Sequence, residues 1–145
     1  MASNLENKIN KLKQFSFERE AREIVEQNRE LIADLQATQL FSGLNEKGEK
    51  IYPEYAPFTI QEKIKKGQVY SRVTYNDTGE LYKSLFTLVS GKKFSIKSES
   101  FKFAKMIKRS GVRTIGLNLE SRREFIESVT RPEMRRRYKE KVSNG

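Results

Sequence analysis

Few residue types that perform chemistry occur in this chain, and those present are not spaced for it. The 145 residues include no Cys and no His. That removes disulfides, iron–sulfur ligation, thiolate nucleophiles, histidine-centred triads and nearly every structural zinc site. Carboxylate, Ser/Lys, Tyr or Mg²⁺ chemistry is what remains. Asp77 and Glu80 stand three apart beside a turn, but two carboxylates are too few for an all-protein Ca²⁺ cage. Ser84 follows Lys83; neighbours on a strand point to opposite faces, so no Ser–Lys dyad follows. Gly91-Lys92-Lys93 lacks the earlier glycine and the Ser/Thr of a phosphate loop, and no GxGxxG occurs. The expectation is a non-enzymatic protein with no catalytic residue, metal or cofactor.

Charge is more informative. The net charge is +10, split as −1 over residues 1–40 and +11 over residues 41–145. Such asymmetry points the second part towards something acidic, either nucleic acid or an acidic protein surface. Arg135, Arg136, Arg137, Lys139 and Lys141 form its densest cluster, with Tyr138 interleaved as a stacking group. They are the candidate contacts for a partner or for nucleic acid. No helix-turn-helix, RNP or zinc-finger signature accompanies them.

The elements that must position these residues follow from periodicity and punctuation. Glu18 to Gln39 has no Gly or Pro and reads as one long helix, after a shorter one around Leu5, Ile9 and Leu12 and a break near Gln14–Phe17. Ala21, Ile24, Asn28, Leu31, Leu35 and Thr38 share a face, widened by Val25 and Ile32. Ile24, Asn28, Leu31 and Leu35 are thus a candidate oligomer or core stripe. Asn28 either sets pairing register or edges an ordinary core-facing stripe. Phe41 to Pro57 holds Gly43, Gly48, Pro53 and Pro57 and reads as turns. Thr59 to Lys66 is expected to be helical, capped by Thr59 and Glu62 and stopped by Gly67.

Val69 to Tyr75 alternates as a strand, and Asn76 to Gly79 is a turn. Leu81–Val89 and Lys93–Ser98 form a β-hairpin through Ser90-Gly91-Lys92, with a helical turn at 79–84 left open. Ser100 caps a helix to Arg109 with Lys102, Lys105, Lys108 and Arg109 on its polar face; Gly111 ends it. Val112–Leu117 is extended, Asn118 caps the next helix, and Thr130-Arg131-Pro132-Glu133 caps a basic C-terminal one. This is an α+β chain: a long N-terminal helix on a small antiparallel sheet, with a basic helical C-terminus. Its segments are a helical 1–40, a core at 41–130 and a basic tail at 131–145.

Apolar residues make up only 36% of the chain and charged ones 33%, which suits a protein that buries part of its surface against partners. No apolar run approaches the roughly 20 residues of a membrane span. The N-terminus lacks the apolar core of a signal peptide, so synthesis and retention in a cytoplasm, without membrane contact, are expected.

The middle of the chain carries a resemblance. Phe41, Gly43, Gly48, Ile51, Tyr55, Thr59, Lys63, Lys66-Gly67-Gln68, Arg72-Val73-Thr74, Asp77-Thr78-Gly79, Leu81-Tyr82 and Ser84 follow in order. This resembles small virion proteins of tailed phages and prophages of Bacteroidetes, including the crAss-like group. There a Y-x-P-x-T stretch, a KGQ and an R-V-T-L-x-D-T-G-x-F/L-Y-x-S segment succeed one another. More distantly it is similar to phage virion-morphogenesis and minor-tail families, in which the DTG segment leads to a hairpin, a helix ending in Gly and a C-terminal helix. Residues 35–128 are covered. Tyr75 stands in place of the usual Leu, Tyr52-Pro53 where the distant families have Trp, and their His after the hairpin is missing.

The resemblance implies a structural virion protein: a head–tail connector, neck or tail-completion component. It implies a homo-oligomeric ring, portal/adaptor or tail proteins as partners, non-specific contact with packaged DNA, and residence in the virion after assembly in the host cytoplasm. Independently of any family, Asp77, Thr78, Gly79, Leu81 and Ser84 read as a structural corner. Asp77 accepts backbone N–H groups, Gly79 takes a positive φ, and Leu81 starts the buried hairpin. Contact of that corner with the next subunit is the functional alternative. A rival from another class is a DNA-binding accessory protein acting through the C-terminal Arg cluster.

Overall fold

Capping residues set the first helices. The structure, a computed structural model, describes residues 3–143; the outermost residues of the segments 1–40 and 131–145 lie outside that range. Helix α1 (Asn4–Gln14) opens on a reciprocal Ser3–Glu6 capping box. Helix α2 (Phe17–Gln27) opens on Ser16, whose hydroxyl accepts the Arg19 N–H, and the break expected near Gln14–Phe17 lies between them.

The expected single helix from Glu18 to Gln39 is divided at Asn28, where φ is −119° and ψ 27°. Its side-chain Nδ2 donates to the Ile24 carbonyl at 2.8 Å, while its own N–H turns to Val25 O. The amide side chain thus takes the acceptor that a continuous helix needs for its backbone. The break rotates the buried face. In α3 (Arg29–Phe41) it comprises Ile32, Ala33, Gln36, Gln39 and Leu40. Leu31 and Thr38 point to solvent and Leu35 is half-buried. Of Ile24, Asn28, Leu31 and Leu35 only Ile24 is fully buried, as is Ile32 at the widened edge of the stripe, and Asn28 is a kink rather than a seam residue.

Pro57 at the first helical position starts α4 (Pro57–Lys65) two residues before the expected Thr59 cap, since its fixed φ suits a helix start and its missing N–H is not needed there. The expected strand at 69–75 does not form: Val73 and Thr74 are both buried, which a pleated strand facing one core does not allow. Its N–H groups find a side chain instead, described below. The corner leads into a short helix, α5 (Glu80–Ser84), and then the hairpin β1 (Phe86–Ser90) and β2 (Lys93–Lys97). Pairing runs from Phe86↔Lys97 to Ser90↔Lys93, leaving a two-residue loop with Gly91 at φ +58°, as a tight hairpin of primed type requires.

Helix α3 lies on β1, and Thr87 Oγ1 donates to Arg29 O at 2.8 Å. The ribbon's inner face carries Thr87, Val89, Phe94 and Ile96; Phe86 and Leu88 look outward. Helix α6 (Phe101–Ser110) is capped by Ser100 and stopped by Gly111 as the sequence implies. Residues 112–117, expected extended, begin with a tight helical turn at Val112–Thr114. Helix α7 (Leu119–Phe125) opens on Asn118, whose Oδ1 accepts the Ser121 N–H at 2.9 Å.

No second cap follows. Wide turns at Ile126–Thr130 carry α7 into α8 (Arg131–Tyr138), and the helical path continues to Ser143. Pro132 lacks an N–H and would clash with the carbonyl four residues back. The helix absorbs it by widening: Arg131 N–H reaches five residues back to Ile126 O. Ile32, Leu40, Ile51, Val73, Leu81, Ile96, Met106, Leu117 and Phe125 meet in one core. Among the described residues no helix is long and apolar enough to cross a membrane.

Two buried glutamines, which periodicity could not single out, fasten α3 to residues 116–118. Gln39 Nε2 donates to Gly116 O and its Oε1 accepts Asn118 N–H, both at 2.8 Å. Gln36 Oε1 accepts Gly116 N–H at 2.8 Å.

Candidate functional site

The corner at Asp77-Thr78-Gly79 is held by side chains from the preceding helix and loop. Gly79 has φ +82°, a left-handed conformation that a Cβ disfavours. Asp77 does not cap backbone N–H groups as the sequence suggests. Its Oδ1 accepts Lys66 Nζ at 3.0 Å and Gln68 Nε2 at 3.3 Å, and those donors keep its carboxyl below the usual aspartate range. Thr78 takes the capping part, its Oγ1 accepting Glu80 N–H at 3.3 Å. Ser84 Oγ donates to Leu81 O at 2.6 Å and meets Ser98 Oγ at 2.6 Å, which locks the corner to the far end of the hairpin.

Next to the corner lies an aromatic and polar knot. The Tyr55 hydroxyl oxygen accepts the N–H groups of Thr74 at 2.9 Å and Tyr75 at 3.1 Å. These are the donors that a strand partner would otherwise satisfy. Burial pushes the Tyr55 phenol up, but these donors, the Thr74 side chain and the Lys63 charge outweigh it and draw it down. Tyr82 Oη donates to Thr74 O at 2.6 Å, and burial pushes its phenol well up. Tyr75 takes φ +54°, an unusual backbone for a bulky residue that costs roughly 1–3 kcal/mol; its hydroxyl bonds Ser110.

Between this knot and α6 opens a pocket of about 340 Å³. Lys63, Lys102, Lys105 and Arg109 line it, with Asp77 and Glu80 on its wall and Leu81 and Met106 supplying apolar surface. Lys102 pairs with Glu80 at 3.3 Å. Lys63, only 7% exposed, donates to Asn76 O at 2.9 Å and lies 4.8 Å from the Tyr55 ring centre. Arg109 donates to Glu54 O at 2.8 Å, and Lys105 sits over Phe101. None of these last three forms an ion pair among the described residues.

The C-terminal cluster is arranged differently. Arg137, 5% exposed, donates to Glu20 Oε2 and Glu23 Oε2 at 2.7 Å each, to Glu133 at 3.2 Å and to Gln27 Oε1 at 2.8 Å. Lys141 pairs with the other oxygen of Glu20, which is itself fully buried. Burial raises the Glu20 carboxyl, but hydrogen bonds from Lys141 and Arg137 prevail and hold it low. Donation from Arg136 and then Arg137 draws Glu133 down to about 2. Arg136 is bidentate to Glu133 and also reaches Glu140. Tyr138, read as a stacking group for bases, packs edge-on to Phe15 and stacks on Phe17. Of the five basic residues singled out, Arg135 and Lys139 alone make no ion pair among the described residues. The acidic surface that this helix faces is therefore in part the chain's own α2. Glu20 and Glu23 stood in the sequence among ordinary solvated charges, and nothing in local spacing pairs them with position 137.

Apolar surface is left uncovered in several places. Leu5, Ile9 and Leu12 make an exposed stripe on α1, which buries none of its residues. A groove of about 840 Å³ between β2, α6 and α7 is lined by Phe94, Ile96, Phe103, Ile107, Ile115 and Phe125. Its rim carries Lys92, Lys93, Lys97 and Arg122 with Glu46.

No protein-family model matches this chain, and no curated protein or solved structure compared with it does either.

Proposed function

We propose that this chain is a structural protein of a tailed-phage virion, a head–tail connector, neck or tail-completion ring component. It acts by burying surface against copies of itself and against portal/adaptor or tail proteins. The observation that carries the reading is the apolar stripe Leu5, Ile9 and Leu12 on a helix with no buried residue. Three large side chains at helical spacing, 42–68% exposed, forgo part of the roughly 1.5–3 kcal/mol that full burial of each would supply. The ordered resemblance from Phe41 to Ser84 supplies the kind of assembly. Ring contacts are heterologous, one surface of each copy meeting a different surface of the next.

Sedimentation of the purified chain over a concentration series tests self-association. The triple variant Leu5→Glu/Ile9→Glu/Leu12→Glu is expected to stay monomeric with an unchanged melting temperature. A wild-type chain that is monomeric at all concentrations and absent from purified particles overturns the reading. The DNA-binding alternative loses support from the arrangement of the tail, since Arg136, Arg137 and Lys141 are engaged within the molecule.

A further inference from the structure

We infer that the pocket between the Asp77–Gly79 corner and α6 is a docking site for the side-chain carboxylate of an acidic peptide segment on a partner protein. Lys63 is the first ground for this. The residue is 7% exposed; its ammonium has three N–H donors and, among the described residues, one acceptor, Asn76 O, beside an aromatic face. A buried ammonium without a counter-charge is costly by several kcal/mol, and a carboxylate entering the pocket supplies both the charge and the missing acceptor. Lys105 and Arg109 are the second ground: both line the same cavity, and both are held by ring faces or carbonyls rather than by carboxylates.

Size and wall chemistry choose among anions. Asp77 and Glu80 stand on the same wall and repel a dianion such as phosphate more than a single carboxylate. About 340 Å³ of concave space takes one protruding side chain, not the rod-like backbone of duplex DNA. Leu81 and Met106 offer apolar contact to the residues flanking that side chain, which favours a peptide over a free carboxylate. The strained backbone of Tyr75 and the double donation to Tyr55 shape the wall beforehand, so little has to be ordered on binding. This site is independent of the virion reading, because the isolated chain presents it.

The test is an amide-resonance titration of the full chain with four probes: acetyl-Leu-Glu-Leu-amide, acetyl-Leu-Gln-Leu-amide, acetate and inorganic phosphate. A duplex oligonucleotide is a fifth. The glutamate peptide is expected to shift Asn76 to Leu81 and Lys102 to Arg109 saturably, and at least tenfold more tightly than any other probe. Lys105→Gln and Arg109→Gln, both at exposed positions, are expected to weaken that binding about tenfold each, with the remaining spectrum unchanged. Equal binding of the glutamine peptide, tighter binding of phosphate or DNA at these resonances, acetate binding as tightly as the peptide, or no saturable shift overturns the proposal.

Discussion

At the C-terminal helix Arg137 is buried against Glu20, Glu23 and Glu133, whereas beside the glycine corner Lys63 is buried almost as deeply against one carbonyl and a tyrosine ring. Both clusters contribute to the same positive net charge. One is closed upon itself and clamps α2 to the C-terminal helix. The other keeps three cations, Lys63, Lys105 and Arg109, that form no ion pair among the described residues. A count of Lys and Arg along the chain weights the two alike, and the denser run is the one whose charge is largely compensated. Density of charge in a sequence therefore says less about an external partner than the number of carboxylates that fold onto it.

That contrast is broken most directly by deleting each buried cation. Arg137→Ala leaves Glu20 buried beside only Lys141 and is expected to cost about 3–5 kcal/mol, read as a lower urea midpoint at unchanged slope. Lys63→Met removes a buried charge that has no ion-pair partner among the described residues, keeps the aliphatic volume, and is expected to leave stability equal or higher. If both substitutions destabilise alike, the pocket lysine has a hidden counter-charge and the two clusters are not different in kind.

Acid sharpens the same comparison. Glu133 is drawn from an ordinary 4.5 to about 2, and Glu20 is also lowered. A carboxyl whose folded pKa is depressed contributes stability that is present above its ordinary value and is lost as pH falls towards the folded one. Stability is thus expected to fall between about pH 4.5 and pH 2. The Glu133→Gln variant, less stable at neutral pH, should show a flatter profile over that window. Lys63 bonds Asn76 O and is paired with neither Glu133 nor Glu20, so Lys63→Met is expected to leave that slope unchanged. Denaturant midpoints measured from pH 7 to pH 2 on both variants decide this.

The corner itself supplies a smaller effect. Gly79→Ala meets no atom within 4 Å, so its cost is the backbone conformation at φ +82° alone, roughly 1–2 kcal/mol. Gly43→Ala differs, because a Cβ there would lie 3.0 Å from Arg72 Cβ at φ +75°, and it is expected to cost more. Thermal unfolding of the two variants orders them.

Much of the fold was legible because local signals and tertiary packing agree there. Ser100 and Gly111 bound α6, Asn118 caps α7, and Ser90 to Lys93 turns the hairpin, each through a residue whose side chain or φ fixes an end by itself. What was hidden turns on competition for backbone groups that the hydrophobic pattern does not rank, whether the competitor is near or far in sequence. The segment 69–75 has the alternation of a strand, yet Tyr55 takes its N–H groups before any strand can. Asn28 sits on a continuous apolar stripe, yet its amide competes for Ile24 O and turns the face. Pro132 reads as a helix start, yet a widened turn carries the helix past it. The corner was located from its glycine; the pocket beside it was not, since Lys63, Lys105 and Arg109 come from two helices with no shared motif.

The smallest effect is the one that separates the tail from a nucleic-acid surface. Arg135→Ala with Lys139→Ala removes the two tail cations without ion-pair partners among the described residues, and both are exposed. Substitutions at such positions stay within about 0.5 kcal/mol, so the double variant should unfold at the wild-type midpoint. If the tail contacts DNA through these two alone, the salt slope of binding should drop by about two phosphate equivalents. If instead Arg136 and Arg137 bind phosphate, they must first leave Glu133, Glu20 and Glu23, and DNA would lower the unfolding midpoint rather than raise it. A fluorescence-anisotropy salt titration of wild type and double variant, with melting followed in the presence of the same duplex, distinguishes these outcomes. An unchanged slope together with a DNA-raised midpoint would show that the clasp around Glu20 is not what holds the tail cations.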